Sequence, residues 1–133
     1  MRRPRHHLKF QLQLFRQYRT GLSVANGVDM FDSLAEKELH KISELVEERS
    51  EKIDLDSLEF NEGVVTIAFN SGVFVLNKHS ASRQIWYSSP VSSPAYFELL
   101  GGNGQPWWSS RVGMTLREKL KADILKLTGQ ILY

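Results

Sequence analysis

The run of short strand-like segments between residues 55 and 110 is the feature that most constrains the fold of this chain. Each segment alternates apolar and polar residues, which is the period of a half-buried strand. The first two connections, residues 61–63 and 70–72, are short, polar and end in glycine, as hairpin turns do. The predicted strands are residues 55–60, 64–69, 73–77, 83–88 and 95–100, with a short sixth at 106–110. The pattern therefore predicts an antiparallel sheet of five to six strands.

Amphipathic helical patterns flank the strands on both sides. Apolar residues recur at helical spacing across residues 31–46 and again across residues 116–127. Thr115 and Glu118 form a predicted capping box at the start of the second helix, and Gly129 is its predicted C-cap. Because an antiparallel sheet needs only one covered face, both helices can pack on the same face. The fold class predicted is an α+β two-layer sandwich with the other sheet face in water.

Composition limits the classes of site that the chain can hold. Its 133 residues suit a single domain, and 41% of them are hydrophobic, enough for a core. The absence of cysteine excludes disulfides, thiolate metal sites and thiol nucleophiles. No stretch of the sequence is long and apolar enough to span a bilayer, so we expect no stable membrane association.

Charge is strongly segregated along the chain. Residues 1–28 carry six basic residues and no acid, whereas residues 29–62 hold twelve of the fifteen acids. The arginine-rich, amphipathic composition of residues 1–28 predicts an organelle transit peptide, and the alternative is a disordered basic arm. We therefore assign residues 1–28 to that leader or arm and residues 29–133 to the folded domain.

Acidic side chains line one face of the first predicted helix. Carboxylates at four-residue spacing, such as the predicted helical row of Glu47 and Glu51, repel one another. Hard or borderline cations prefer such oxygen ligands. One row on one helix cannot close a coordination shell, so binding should be weak, water-rich and exchangeable. The alternative is a solvated charged face without metal. The candidate metal ligands, together called the acidic ridge, are Asp32, Glu36, His40, Glu44, Glu47, Glu48, Glu51, Asp54 and Asp56.

A second candidate site combines aromatic and amide side chains on the sheet. Strand alternation puts Gln84 and Trp86 on one face and Ile85 in the core beneath the helices. An exposed tryptophan beside amides is typical of a protein-binding hot spot, although loops could cover it. Base stacking of single-stranded nucleic acid is disfavoured because the nearby acids repel phosphate. The candidate partner-binding residues are Asn77, Gln84, Trp86 and Trp107.

Several stretches resemble the frataxin family. The resemblance rests on "NKHSASRQIWYSSPVSSP" (77–94), supported by "SLAEKELHKI", "FNEGVVTI" and Trp107 followed by "GMTLREKL", and it covers residues 29 to 128. It implies a mitochondrial-matrix protein, or one of a mitochondrion-derived organelle, that takes part in iron–sulfur cluster assembly. Such a protein binds ferrous or ferric iron weakly on the acidic ridge. It docks on the cysteine desulfurase–scaffold complex and promotes sulfur transfer or iron delivery.

Other functions compatible with the resemblance stay open. One is a ferroxidase or iron-storage protein that oxidises ferrous iron on the ridge, and another is an adaptor that needs no metal. Independent catalysis has little support, since the sequence contains no nucleophile motif and no phosphate-binding loop. We expect a monomer, with iron-dependent oligomers as the alternative, and no nucleic-acid partner.

Three features depart from the family pattern. Ala95 and Tyr96 stand where relatives often carry a basic pair, and Lys37 and His40 stand where relatives often carry acids. The chain after the second helix is also short, "GQILY" (129–133). We expect this segment to cover little of the groove between the helices and stability to be modest.

Overall fold

The computed structural model describes residues 27–100 and 106–133. In the first helix, side chains are described from residue 30 onward. Nearly all of the predicted leader or arm, residues 1–28, lies outside the described residues. The helices are α1, Gly27–Glu48, and α2, Leu116–Thr128. The strands are β1 Ser57–Asn61, β2 Val64–Phe69, β3 Gly72–His79, β4 Gln84–Ser88, β5 Ala95–Leu99, β6 Trp107–Ser109 and β7 Met114–Thr115. Neither described helix has the length and apolar composition needed to cross a membrane.

The strands form one antiparallel sheet in which spatial order follows chain order from β1 to β7. The predicted α+β sandwich is confirmed. The described part of the chain contains seven strands, one more than the upper limit predicted. The additional strand is β7, whose two residues pair with Trp108 and Ser109 of β6. A two-residue strand is too short to show alternation, which is why the sequence pattern did not predict it.

The core lies between the sheet and the two helices. Alternate residues of the central strands point into it, so that Ile85 is fully buried and Tyr87 is 2% exposed. The predicted stripe of α1 faces the core from Phe31 to Val46, where Leu34 and Leu45 are partly buried and the other members are buried. From α2 the core receives Leu116, Leu120 and Ile124. Burying these side chains is the main favourable term in folding, at about 25 cal/mol per Å² of apolar surface.

Polar contacts fix the position of α2. The predicted capping box is confirmed: the Glu118 amide donates to Thr115 Oγ1 at 3.2 Å, and the Thr115 amide donates to Glu118 Oε2 at 3.4 Å. Arg117 reaches across to α1, donating from Nη2 to Glu38 Oε1 at 2.7 Å and from Nε to Oε2 at 2.9 Å. This bidentate pair raises the pKa of Arg117 above its usual value and joins the two helices directly.

The segment after α2 contributes more to the core than expected. Gly129 ends the helix in a left-handed conformation, with φ of 75°, and donates its amide to Leu125 O at 2.8 Å. Leu132 is fully buried in the core, and the Tyr133 ring lies 4.6 Å from Lys121 Nζ. The expectation that residues 129–133 cover little was therefore wrong for Leu132, because the left-handed turn folds the chain back over the helices.

Candidate functional site

The N-terminal part of the acidic ridge is tied to the sheet. Lys78, on β3, places Nζ 3.0 Å from Glu36 Oε1 and 3.9 Å from Asp32 Oδ1. Ser80, just after β3, donates to Asp32 Oδ1 at 2.7 Å. A cation that binds Asp32 Oδ1 or Glu36 Oε1 must therefore compete with the ammonium group and the hydroxyl that already contact these oxygens.

The middle of the ridge contains an internal pair. His40 Nδ1 lies 2.9 Å from Glu44 Oε1, one turn further along α1, and the imidazole packs against Phe60 with ring centroids 6.0 Å apart. Burial and the neighbouring charge of Lys41 lower the pKa of Lys37 on the same helix. Both Glu44 and Glu47 are half-buried rather than fully hydrated. This part of the ridge is less negative and less accessible than a row of free carboxylates.

The C-terminal part of the ridge leaves the helix. Because α1 ends at Glu48, Glu51 lies in the following turns, and its predicted position in a helical row with Glu47 is wrong. Asp54 adopts a left-handed conformation with φ of 55°, which carries the chain toward β1 and Asp56. The side chains of Glu48, Glu51, Asp54 and Asp56 are all exposed. Among residues 27–100 and 106–133, no three metal-ligating side chains lie close enough together to hold an ion.

The predicted aromatic site lies on the sheet face away from the helices, here called the open face. Trp86 is 37% exposed there, while its neighbours Ile85 and Tyr87 are buried, as the alternation predicted. The His79 ring stacks on the Trp86 ring with centroids 3.8 Å apart and planes 14° apart. Tyr96 meets the indole at a steep angle, with centroids 5.3 Å apart. The indole N–H donates to Gln84 Oε1 at 3.1 Å.

Strand register determines which other predicted residues join this face. Asn77 pairs directly with Trp86, and Tyr96 pairs with Trp86 from the other side. Trp107 is only 5% exposed and packs edge-on against Phe31 of α1, with ring centroids 5.7 Å apart. Its predicted place on the open face is therefore wrong. Trp108, which is half-buried, takes the opposite side of β6, because adjacent residues of a strand face opposite ways.

A buried polar network beneath the sheet was not predicted. Asp123 Oδ2 accepts hydrogen bonds from the Tyr87 hydroxyl at 2.6 Å and from Ser92 Oγ at 2.7 Å. Lys119 Nζ donates to Ser92 Oγ at 2.9 Å and lies 3.6 Å from Asp123 Oδ2. Burial favours the protonated carboxyl, but these hydrogen bonds and the charge of Lys119 outweigh it and lower the pKa of Asp123. The network joins α2 to the connection that follows β4, the strand of Trp86.

Comparison with known proteins identifies relatives of this domain. The family model for the frataxin-like domain matches residues 27–130. The mitochondrial frataxin of Arabidopsis thaliana is 32% identical, over 78% of this chain and 61% of the relative. The mitochondrial frataxin of Dictyostelium discoideum is 33% identical, over 74% of this chain and 52% of the relative. The chain thus spans between half and two thirds of the length of these relatives.

Solved structures share the same fold. Trimeric frataxin from the yeast Saccharomyces cerevisiae, complexed with ferrous iron, is 32% identical with a TM-score of 0.64, over 73% of this chain and 87% of that one. Frataxin from Psychromonas ingrahamii has a TM-score of 0.66 at 22% identity, over 78% of this chain and 93% of that one, a likeness of fold alone. Since the family model matches well over half of this chain and the sequence relatives exceed 30% identity, the chain belongs to the frataxin family.

Proposed function

We propose that this chain is an iron-binding regulator of iron–sulfur cluster assembly. In this proposal it docks through the open face on the cysteine desulfurase–scaffold complex and promotes sulfur transfer or iron delivery. The observation that carries the proposal is the separation of the two sites. The acidic ridge begins on α1, on one side of the sheet, and Trp86 lies on the other side. One molecule can therefore hold a cation and contact a partner protein at the same time.

The ridge suits iron as a weakly held cargo. Exposed carboxylates at Glu48, Glu51, Asp54 and Asp56 offer hard oxygen ligands but no closed shell, so water completes the coordination. The yeast frataxin structure complexed with ferrous iron supports iron as the cation. Because that yeast protein is trimeric, self-association in the presence of iron is part of the same proposal. The mitochondrial names of two relatives support a mitochondrial location, and we propose the matrix.

Docking is tested by measuring desulfurase activity with and without this protein. We expect Trp86→Ala to fold normally and to lose the stimulation of sulfide production, because an aromatic anchor carries a large share of interface energy. Val73→Ala is the matched control, since Val73 is 45% exposed on the same face but lies outside the aromatic group. Equal stimulation by the wild type and Trp86→Ala would refute docking through this residue.

Iron binding is tested by anaerobic calorimetry with ferrous iron. We expect neutralising the exposed acids, as Glu48→Gln, Glu51→Gln, Asp54→Asn and Asp56→Asn together, to weaken binding more than the control Glu98→Gln on β5. An equal effect of the two variants would show that this part of the ridge is not the iron site. Oxygen uptake recorded in air tests the ferroxidase alternative, which requires that uptake depend on the same acids.

A metal-independent adaptor is the second candidate function. It is favoured by the contacts of Asp32 and Glu36 with Lys78, since these carboxylates already have a positive partner. Stimulation of the desulfurase that persists unchanged in buffer stripped of metal would support the adaptor over the iron-binding regulator.

A further inference from the structure

The orientation of the Trp86 indole is set by three neighbours. His79 covers one face of the ring, Tyr96 meets it at an interplanar angle of 76°, and Gln84 accepts its N–H. All four side chains lie on the open face, where an isolated tryptophan would sample several rotamers. An indole held this way keeps one orientation while more than a third of it stays exposed.

We propose that His79 and Tyr96 are positioning residues that preorganise Trp86 for docking. This inference rests on the proposed docking function and assigns no direct partner contact to either residue. A side chain that is already ordered loses less conformational freedom when it binds, so affinity rises without any new contact. Stacked and edge-on aromatic pairs add attraction beyond the area they bury, which supplies the force that holds the ring.

His79 is anchored to the rest of the fold. His79 Nδ1 lies 2.7 Å from Ser82 Oγ, a contact that fixes the imidazole plane within the β3–β4 connection. Ser80 in the same connection donates to Asp32 on α1, and the neighbouring Lys78 pairs with Glu36. The segment that carries His79, the stacking partner of Trp86, is thus held by contacts with α1 as well as by its own contact with Ser82. These contacts tie the β3–β4 hairpin to α1.

The geometry also determines what the indole offers to a partner. Its N–H is already bonded to Gln84, so recognition does not need an acceptor for that hydrogen. The exposed remainder of the ring is apolar. The complementary surface on the desulfurase–scaffold complex is therefore an apolar pocket, and Trp86 enters it as an aromatic body rather than as a hydrogen-bond donor.

The positioning role is tested first by spectroscopy, without any partner. The indole N–H resonance of Trp86 is followed in a nitrogen–proton correlation spectrum of the whole chain and assigned with Trp86→Phe. We expect His79→Ala to shift and broaden this resonance, and His79→Phe to restore a single sharp signal because the phenyl ring can stack again. Val75→Ala, on the open face of β3, is the control that leaves the resonance unchanged. An unchanged resonance in His79→Ala would overturn the proposal.

Affinity for the desulfurase–scaffold complex is the second readout. We expect His79→Ala to weaken binding about two- to tenfold, the range for losing one preordered side chain, and His79→Phe to restore it. Tyr96→Ala should act like His79→Ala, while Tyr96→Phe keeps the ring and has little effect. If His79→Ala weakened binding of the complex without changing the indole resonance, His79 would contact the partner directly, and the positioning role would be overturned. Equal binding of wild type and Trp86→Ala would instead refute docking, and the spectroscopic result would still decide the positioning role.

Discussion

Replacing Tyr87 with phenylalanine isolates the buried hydrogen bond between the sheet and α2. The ring stays in the core, and only the hydroxyl that donates to Asp123 at 2.6 Å is removed. A hydrogen bond to a charged group contributes about 1.5–3 kcal/mol. Ser92 and Lys119 still contact the carboxylate, which keeps the charge partly compensated. We therefore expect Tyr87→Phe to lower the free energy of unfolding at neutral pH by about 1.5–3 kcal/mol.

The same hydroxyl makes the free energy of unfolding depend on pH in the alkaline range. Burial, and then the hydrogen bond to Asp123, raise the pKa of Tyr87 far above its usual value. Above about pH 10, the unfolded chain loses the Tyr87 proton while the folded chain keeps it. The folded state then binds more protons, so this tyrosine's contribution falls as pH rises, by up to about 1.4 kcal/mol per pH unit. Tyr87→Phe has no such proton and loses this part of the alkaline decline.

Urea unfolding followed by circular dichroism at pH 7, 10 and 11 measures both effects. The wild type and Tyr87→Phe should differ most at pH 7 and converge as pH rises. Tyr96→Phe is the matched control, because this tyrosine is 43% exposed, and its unfolding free energy should follow that of the wild type throughout. A gap below about 0.5 kcal/mol at pH 7, the range of ordinary surface substitutions, would refute the reasoning. Parallel declines of wild type and Tyr87→Phe above pH 10 would do the same.

Two further predictions concern packing. Leu132→Ala should lower the unfolding free energy by about 2–5 kcal/mol, because Leu132 is fully buried, whereas Ile131→Ala, at a 52% exposed position, should change it little. Comparable losses for the two variants in urea unfolding would contradict the burial of Leu132. Gly72→Ala should lower the unfolding free energy by about 1–3 kcal/mol, because the added Cβ would lie 2.5 Å from Pro90 Cβ, and adding Pro90→Gly should recover part of that loss. Thermal unfolding of the single and double variants measures this, and no loss in Gly72→Ala would refute the close approach.

Local patterns predicted the elements whose signals extend over several residues. The stripe of α1 and the capping box of α2 are confirmed because helix periodicity and end signals are both local. Alternation also put Ile85 and Trp86 on the correct faces of β4, a strand of five residues. Trp107 belongs to a strand of only three residues, where the period cannot be read. The sequence pattern therefore could not predict which face of the sheet the Trp107 side chain occupies.

Contacts between residues distant in sequence were not predicted. Lys78 and Glu36 are 42 positions apart, and Tyr87 and Asp123 are 36 apart. Nothing in either stretch indicates its partner, because the pairing follows from how α1 and α2 lie against the sheet. The acidic ridge was recognised as a set of residues, but the contact with Lys78 became visible only in the folded chain.

The sequential order of the strands has a consequence for how the molecule opens. Every strand pairs with its chain neighbour, so the sheet can grow by closing short loops, whereas the Glu38–Arg117 contact closes a loop of 79 residues. Closing the longer loop costs about 2–3 kcal/mol more conformational entropy than a loop of about four residues. Where a helix detaches from the sheet, the apolar side that it bares is the surface through which partly open molecules would aggregate.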